Sequence, residues 1–458
     1  MANHHFLILS LPAQGHINPT LQLAKNLTRA GALVTFATTV DGLSRLNHGP
    51  KIKGLSYASF SSSDAEDTTK EKGNIASYFA MIERELSKNL PKLLQSLSTN
   101  GRPVNLLIYT YLLPWAAKVA RDLNVPSAFL SIQSATTVAI YHRCFNSNNG
   151  LYDGKTGISP EVSINLPGLP LLTCNDIPSF LLPTDPHYSC LLPIFNEHIK
   201  ALEEDPNTCL LVNTFDSLEA SSIKAIDDMN VITIGPLVPS AFSDGNDLLD
   251  TSFGWDLFQS SVDYLQWLDS KQERSVIYVS FGSIAALQKT QKEELFHGLI
   301  EAGRPFLWVI RDPQGEEVKN MMAEKVSEQG LIVPWCSQME LLCHRSIGCF
   351  VTHCGWNSTV ESLVAGVPVV GWPQFSEQFT NAKMMEEVWR TGLRAAVNEK
   401  GTVEREEIKR CLETLMGDGE RGIEIRRNLV KWKGLATEAV KEGGSSYNNM
   451  KQFLQKLG

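Results

Sequence analysis

Short apolar segments alternate with longer segments of helical periodicity through the first half of the chain. The predicted strands are, by residue number, 6–11, 33–38, 105–109, 127–131, 210–213 and 231–234. The predicted helices are 18–30, 74–97, 115–123, 134–145 and 191–201. Asn18 is the predicted N-cap of the first helix, with Pro19 at its first position. Strands that are apolar on both faces and alternate with helices indicate a parallel sheet.

The alternation stops at a Gly-Pro-Leu-Val-Pro run and a polar stretch that follows it, and then starts again. The second series of predicted strands is 276–280, 306–310, 330–333, 348–352 and 367–371. The second series of helices is 291–302, 357–365, 376–390, 404–415, 420–441 and 446–457. We therefore expect an α/β protein with two Rossmann-like domains whose parallel sheets face a cleft. The predicted boundaries are 1–240, a linker at 241–261, a second domain at 262–441 and a terminal helix at 442–458.

Charge and cysteine content narrow the function classes. The 458 residues include 41 Lys and Arg against 50 Asp and Glu, a net charge of −9 that disfavours binding to nucleic acid or anionic membranes. No segment approaches the roughly 20 apolar residues of a membrane span, and the amino-terminal segment has no signal-peptide pattern. Nine scattered cysteines are typical of reduced thiols. We expect a cytoplasmic protein.

Several cofactor motifs are absent from the sequence or incomplete. There is no G-x-G-x-x-G and no Asp-x-Asp, so nicotinamide and metal-held nucleotides are disfavoured. Residues 150–156 resemble a phosphate-binding loop, but the first glycine is one position too close to the second. A zinc site could be imagined at Cys343, His344, Cys349, His353 and Cys354. Because Cys-x-x-Cys spacing is missing, buried structural cysteines are the better interpretation, and no metal is expected.

The connection between the first strand and the first helix contains Gly15 and His16. Connections at the carboxyl ends of parallel strands are where ligands of such sheets bind. A histidine placed just before a helix N-terminus is held neutral, because the helix dipole disfavours imidazolium. A neutral imidazole there can accept a proton from a substrate hydroxyl. The alternative is an ordinary surface-loop histidine.

The segment from Trp335 to Gln378 contains the second candidate site. A strand end, a turn and a helix start around residues 352–362 provide backbone N–H groups suited to a diphosphate, with Asn357 and Ser358 as candidate caps. Glu361 lies one helical turn beyond Asn357, and its carboxylate can accept both ribose hydroxyls. Trp335 offers a flat face for a base. Each feature alone has a structural explanation, but together they predict a metal-free pocket for a nucleotide-diphosphate sugar.

This segment resembles the signature box of the plant family 1 UDP-glycosyltransferases, most closely at residues 348–353 and 366–369. Residues 14–19 resemble the amino-terminal motif of the same family, and residues 109–115 and 333–338 resemble its branch of crocetin, indole-acetate and anthocyanidin 5-O-glucosyltransferases. The resemblance implies a GT-B fold, an inverting reaction, and a C-terminal helix that returns to the N-terminal domain. UDP-glucose is then a donor substrate, and no cofactor is implied.

The resemblance also implies residue roles. Trp335 stacks on uracil, the Cys336 backbone binds the base edge, and Gln338 and Glu361 hold the ribose. The residues implied at the phosphates are Ser283, His353, Asn357 and Ser358. Those implied at the sugar are Trp356, Glu377 and Gln378, and Gly15 and Gly355 complete the donor-binding set. Gln378 favours glucose, because galactose-using relatives tend to have histidine there.

Two positions depart from the family pattern. Thr110 replaces the aspartate that usually accompanies the catalytic histidine, and Glu377 replaces an aspartate. We hypothesise that the Thr110 hydroxyl orients His16 through a neutral hydrogen bond, which is weaker than a charge-assisted one. This is compatible with a carboxylic acid acceptor, which is already ionised at neutral pH. The alternatives are a catalytically silent nucleotide-sugar-binding protein and another two-domain nucleotide-sugar enzyme such as an epimerase.

The expected partners are UDP-glucose and a small apolar acceptor, and the protein is expected to be a monomer. The acceptor is a phenolic compound, a carboxylic acid or a terpenoid. Aromatic residues in the variable segments are candidate walls of its pocket, with plain packing as the alternative. These residues are Phe79, Tyr111, Phe145, Phe180 and Tyr188.

Overall fold

The computed structural model describes residues 4–45, 51–60, 75–147, 150–152, 157–184, 189–205, 208–226, 228–253, 263–311 and 329–457. Some of the residues discussed above lie outside these ranges: Tyr188, residues 153–156 of the segment that resembles a phosphate-binding loop, residue 74 of a predicted helix and residues 254–261 of the predicted linker. The chain divides into two compact units. The first comprises Met1–Pro239, Phe253–Trp255 and Ala439–Gly458, and the second comprises Ser240–Ser252 and Asp256–Glu438.

The first unit contains a parallel sheet that has seven strands among its described residues. The strands are β1 (His5–Leu9), β2 (Leu33–Thr39), β3 (Leu55–Phe60), β4 (Leu106–Thr110), β5 (Ser127–Ser131), β6 (Cys209–Val212) and β7 (Val231–Thr233). Their spatial order is β3-β2-β1-β4-β5-β6-β7. Every residue of the central strands β1 and β4 is buried, as expected for strands covered by helices on both faces.

The helices of this unit connect successive strands. They are α1 (Gln14–Arg29), α2 (Val40–Arg45), α3 (Ile75–Thr99), α4 (Trp115–Asp122), α5 (Ala135–Phe145), α6 (Leu192–Glu204) and α7 (Ala220–Lys224). Short 3-10 turns occur at Ser179–Leu181 and Ser189–Leu191. Ser134 is the N-cap of α5, and its side chain accepts a hydrogen bond from the Thr137 N–H.

The prediction for the start of α1 was wrong. The helix begins at Gln14 with Ala13 as its N-cap, so Asn18 is not a cap and Pro19 lies inside the helix. Pro19 has no N–H to donate to the carbonyl one turn earlier, which removes one helical hydrogen bond. Burial of Ile17, Leu21 and the neighbouring side chains of this face favours helix formation despite that loss. His16 therefore lies within the first helical turn and not before it.

The second unit contains a parallel sheet that has six strands in the part of the chain described. The strands are β8 (Val276–Ser280), β9 (Phe306–Val309), β10 (Gly330–Val333), β11 (Ile347–Thr352), β12 (Val369–Gly371) and β13 (Gly392–Arg394). Their spatial order is β10-β9-β8-β11-β12-β13. The helices are α8 (Tyr264–Asp269), α9 (Lys289–Glu301), α10 (Gln338–Leu342), α11 (Trp356–Ala365), α12 (Gln378–Lys383), α13 (Arg405–Met416) and α14 (Glu420–Val440).

The last helix, α15 (Ser445–Lys456), packs against β7 in the first unit. The Ser446 hydroxyl donates to the Gly235 carbonyl at 2.6 Å, and Asn449 Nδ2 donates to the Thr233 carbonyl at 3.2 Å. These bonds attach the end of the chain to the last strand of the first sheet. None of the described helices has the length and apolar character needed to cross a membrane.

Candidate active site

His16 and Thr110 lie together at the carboxyl edge of the first sheet. His16 is in the first turn of α1, which follows β1, and Thr110 is the last residue of the neighbouring strand β4. The connections after these two strands lead to opposite sides of the sheet, and this is the position where parallel α/β sheets bind ligands. His16 Nδ1 lies 3.0 Å from Thr110 Oγ1. The hydrogen bond hypothesised from the sequence is therefore present.

The environment of His16 favours a neutral imidazole. Burial lowers the pKa of His16 to about 4, because desolvation penalises the charged ring. When Nδ1–H donates to the buried Thr110 hydroxyl oxygen, Nε2 carries the lone pair of the ring. This arrangement can accept a proton at Nε2. Gly15 precedes His16 in the same turn and is exposed.

His198 is a histidine of this unit that the sequence interpretation did not single out. It lies on α6 and is 1% exposed, and its Nε2 accepts a hydrogen bond from the Leu112 N–H at 3.0 Å. Leu112 follows β4 with a φ of 69°, which an L-residue rarely adopts. His198 thus stabilises the turn that follows Thr110. Its sequence neighbourhood is typical of any core-facing helix, so no local signal could have identified it.

Most of the aromatic residues proposed as acceptor-pocket walls lie in the core. Tyr111, Phe145 and Phe180 are each less than 5% exposed and form an aromatic cluster around Tyr141. Phe79 on α3 is partly exposed and packs edge-on against Tyr78. Plain packing therefore accounts for the three buried rings.

The predicted donor-binding residues of the second unit follow the carboxyl ends of four parallel strands. Ser283 follows β8, the Trp335–Gln338 turn follows β10, the His353–Ser358 turn follows β11, and the Glu377–Gln378 pair follows β12. Since parallel strands end at one edge of a sheet, these turns share that edge. Neighbouring strands β8 and β11 are followed by connections to opposite sides, which makes their junction the expected ligand position.

A part-buried hydrogen-bond network joins the two residues assigned to the ribose. Gln338 Nε2 donates to Glu361 Oε2 at 2.6 Å and to Ser358 Oγ at 2.8 Å. Glu361 is 2% exposed, and desolvation raises its pKa to about 7, while the Gln338 hydrogen bond lowers it in part. Both side chains project from helices, α10 and α11, that begin at the same edge of the sheet.

The N-terminus of α11 lacks a side-chain cap. The helix begins at Trp356, and the N-cap residue is Gly355, so Asn357 and Ser358 are not caps as the sequence predicted. The tertiary position of the preceding turn explains the shift, because Asn381 Nδ2 donates to the Cys354 carbonyl at 2.9 Å and Cys354 adopts a φ of 63°. Backbone N–H groups at such a helix start attract anions.

His353 is enclosed by two glycines. A Cβ on Gly282 or on Gly355 would lie 2.6 Å from His353 Nε2, which no real contact allows. Gly282 also has a φ of 73°, where a side chain is strained. Burial lowers the pKa of His353 to about 4, so the ring is neutral. The glycines bring the β8 turn, with Ser283, close to the imidazole and to the start of α11.

The residues assigned to the sugar differ in what they can offer. The Trp356 side chain is 2% exposed and packs near Trp389, so its indole ring is not accessible to a ligand in this conformation. Gln378 Oε1 accepts from the Gln374 N–H at 2.9 Å and the Phe375 N–H at 3.1 Å. Its Nε2 is then the group left to face a ligand. Glu377 is the partly buried N-cap of α12.

Candidate metal ligands do not assemble in the described part of the chain, where no group of three or more His, Cys, Asp or Glu side chains is placed to hold a metal ion. All nine cysteines lie in the described ranges and are free thiols. Cys349 and Cys354 are buried. His344 instead contacts Ser346 Oγ at 2.8 Å and Asp269 at 3.2 Å.

Comparison with known proteins identifies the family. A model described as UDP-glucoronosyl and UDP-glucosyl transferase matches residues 259–423. The chain is 50% identical to crocetin glucosyltransferase, chloroplastic, of Gardenia jasminoides over 99% of this chain and 97% of that one. It is 44% identical to anthocyanidin 3-O-glucoside 5-O-glucosyltransferase of Verbena hybrida over 100% of this chain and 99% of the other.

A solved structure shows the same fold. The crystal structure of Os79 from O. sativa in complex with UDP superimposes with a TM-score of 0.91 at 33% identity, covering 99% of this chain and 100% of that one. The chain belongs to the UDP-glucoronosyl and UDP-glucosyl transferase family and is an enzyme, a UDP-glycosyltransferase. The family and the GT-B fold class expected from the sequence are confirmed.

Proposed function

We propose that the protein is an inverting glucosyltransferase that uses UDP-glucose to form a β-glucoside or a glucose ester on a small apolar plant metabolite. The observation that carries this proposal is the Gln338–Glu361 pair beside a helix start with no side-chain cap, in which a half-buried amide nitrogen lies 2.6 Å from an oxygen of a buried carboxylate. A diol acceptor next to an anion site matches a nucleoside diphosphate. Crocetin and anthocyanidin glucosyltransferases among the relatives support glucose as the sugar.

The second unit binds the donor in this proposal. Trp335 stacks on uracil, the Cys336 backbone binds the base edge, and Glu361 accepts the ribose hydroxyls. The phosphates contact Ser283, His353 and the start of α11, which Gly355 leaves accessible. Glu377 and Gln378 bind the glucose hydroxyls, with the Gln378 Nε2 as a donor.

Departure of UDP is assisted without a metal ion. The developing negative charge on the β-phosphate meets the N-terminal dipole of α11 and a hydrogen bond from the neutral His353 ring. These groups are fixed by the fold before the substrate binds, so they need little reorganisation during the reaction. Turnover in the presence of a chelator tests this step.

The first unit binds and activates the acceptor. His16 Nε2 takes the proton from a hydroxyl acceptor, whose oxygen attacks the anomeric carbon as the bond to UDP breaks. Thr110 fixes the ring so that Nε2 faces the acceptor. A carboxylate acceptor is already ionised and needs less help from the base.

The experiment is a product screen by mass spectrometry with UDP-glucose and mixed phenolic, carboxylic acid and terpenoid acceptors. We expect glucosylated products from the wild type, and a loss of about 100-fold or more with phenols in His16→Ala. Carboxylate acceptors should lose less. Binding of UDP with no product from any class would contradict the proposal, as would full activity of His16→Ala on phenols.

The cell compartment and the oligomeric state are part of the same proposal. Free thiols at all nine cysteines support a reducing compartment, for which we propose the cytoplasm. We also propose that the protein is a monomer. Fractionation of tagged protein and light scattering test these two points.

A further inference from the structure

We propose that Tyr278 is a positioning residue for the donor, and that its hydroxyl fixes the orientation of the Gln338 amide so that Glu361 can receive the ribose. The inference deepens the proposed function and rests on it. Tyr278 lies in β8 and was not among the residues that the sequence pointed to.

Tyr278 lies where its hydroxyl reaches two residues of the predicted nucleoside-binding turn. It is 1% exposed, and its ring stacks on Phe350 at a centroid distance of 4.6 Å. The hydroxyl donates to Gln338 Oε1 at 2.9 Å and lies 3.5 Å from Cys336 Sγ. The turn therefore rests on a ring that packing holds in one position.

The chemistry of the network gives the Gln338 amide one favourable orientation. An ionised carboxylate only accepts hydrogen bonds, so Glu361 requires the Nε2 side of the amide. The Oε1 side then requires a donor, which is the Tyr278 hydroxyl. A flipped amide would place two oxygen atoms against each other at Glu361 and leave its NH₂ group facing Tyr278.

Loss of the hydroxyl weakens this selection between the two orientations. In Tyr278→Phe, Gln338 Oε1 is left without its buried donor, and the flipped amide becomes accessible at lower relative cost. A flipped amide disfavours the ionised Glu361, which is the form that accepts ribose hydroxyls. Because the effect passes through the ribose, a nucleotide that lacks one ribose hydroxyl should be less sensitive to it.

A second tyrosine provides a matched control. The Tyr264 hydroxyl accepts from the Ser337 N–H at 3.0 Å, so it supports the backbone of the same turn without contacting the Gln338 amide. Tyr264→Phe also removes one tyrosine hydroxyl that contacts this turn. It should change the affinities for UDP and 2′-deoxy-UDP by the same factor.

The experiment measures the affinities of UDP and 2′-deoxy-UDP by calorimetry for the wild type and both tyrosine variants. We expect the wild type to prefer UDP by about 10-fold or more, and Tyr278→Phe to lose about 5-fold toward UDP but less than about 2-fold toward 2′-deoxy-UDP. Equal losses for both nucleotides, or an unchanged affinity for UDP, would overturn the proposal.

A second variant keeps the test valid if Tyr278→Phe does not fold. Gln338→Glu retains an acceptor for Tyr278 but places an oxygen where Nε2 stood, which imitates the flipped amide. Its preference for UDP over 2′-deoxy-UDP should fall below about 2-fold, and a retained preference would overturn the proposal. Failure of the wild type to bind UDP would instead contradict the proposed function, and this inference with it.

Discussion

The affinity for UDP-glucose should depend on pH through Glu361. Desolvation raises the pKa of this carboxyl to about 7 in the unliganded protein, and the ribose hydroxyls require its ionised form as acceptor. The ionised fraction falls from roughly 91% at pH 8 to roughly 9% at pH 6. Affinity is therefore present above the pKa and lost as the pH falls through it. We expect the Kd to rise about 10-fold between pH 8 and pH 6.

Three neighbouring groups do not titrate in this interval. Burial lowers the pKa of His353 to about 4 and raises that of Cys343 to about 11, and it raises that of Tyr278 well above its usual value. UDP-glucose is the correct probe, because the terminal phosphate of UDP has its own pKa near 6. Calorimetry at fixed ionic strength measures the dependence.

The control is Glu361→Gln, which has nearly the same shape and cannot titrate. It should bind UDP-glucose more weakly, with a Kd that is constant over this interval. A pH-independent Kd in the wild type would refute the reasoning, and so would an equal pH dependence in the variant.

Three further predictions concern single substitutions. Gly282→Ala should weaken UDP-glucose binding by about 10-fold or more, because the added Cβ would collide with His353 Nε2. Gly303→Ala is the control: Gly303 has a similar positive φ but open space around it, so this variant should lose only about 1 kcal/mol of stability. Normal binding by Gly282→Ala would contradict the close contact between Gly282 and His353. Gln378→Glu keeps the side-chain oxygen that accepts from two backbone N–H groups but removes the Nε2 donor. The KM for UDP-glucose should therefore rise about 10-fold, while the Kd of UDP stays within about 2-fold of the wild-type value. Equal changes in the KM for UDP-glucose and the Kd of UDP would argue against a contact between Gln378 and the sugar. Thr110→Val removes the hydroxyl that contacts His16 and should lower kcat/KM for phenols by about 3- to 10-fold, with a smaller effect on carboxylates. A larger loss with carboxylates than with phenols would disprove the role of Thr110.

Local pattern was sufficient for most of the fold. The strands that became β5, β8 and β10 have the predicted bounds. For β5 and β8 the reason is that apolar residues on both faces identify a buried strand. The edge strands β3 and β13 were not predicted, since the first is mostly half-buried and the second has three residues. Neither has the continuous apolar run of a central strand.

Helix ends were less predictable where tertiary packing opposes local preference. Pro19 favours a helix start, but α1 begins earlier because its apolar face is buried. The prediction of one α-helix over 376–390 was only partly right. The α-helix α12 ends at Lys383, and a π-helical segment, Met384–Val388, follows it directly. A single extra residue per turn leaves no periodic signature strong enough to read from one sequence.

The candidate site was predictable where its residues are close in sequence. The turn around His353 carries its chemistry in consecutive residues, and the resemblance to a family added Ser283 and Thr110. Tyr278 and His198 are different, because each contacts a site turn that is 60 and 86 residues away along the chain, respectively. Only the sheet topology brings such partners together.

The central claim is that an acceptor activated by His16 displaces UDP from the sugar in a single step. The stereochemistry of transfer tests this claim most directly. The measurement is the anomeric proton coupling, by NMR, of the product formed from UDP-α-glucose in the presence of a chelator. The account predicts a β-linked glucosyl product and undiminished turnover. An α-linked product, or activity that requires added divalent metal, would contradict it.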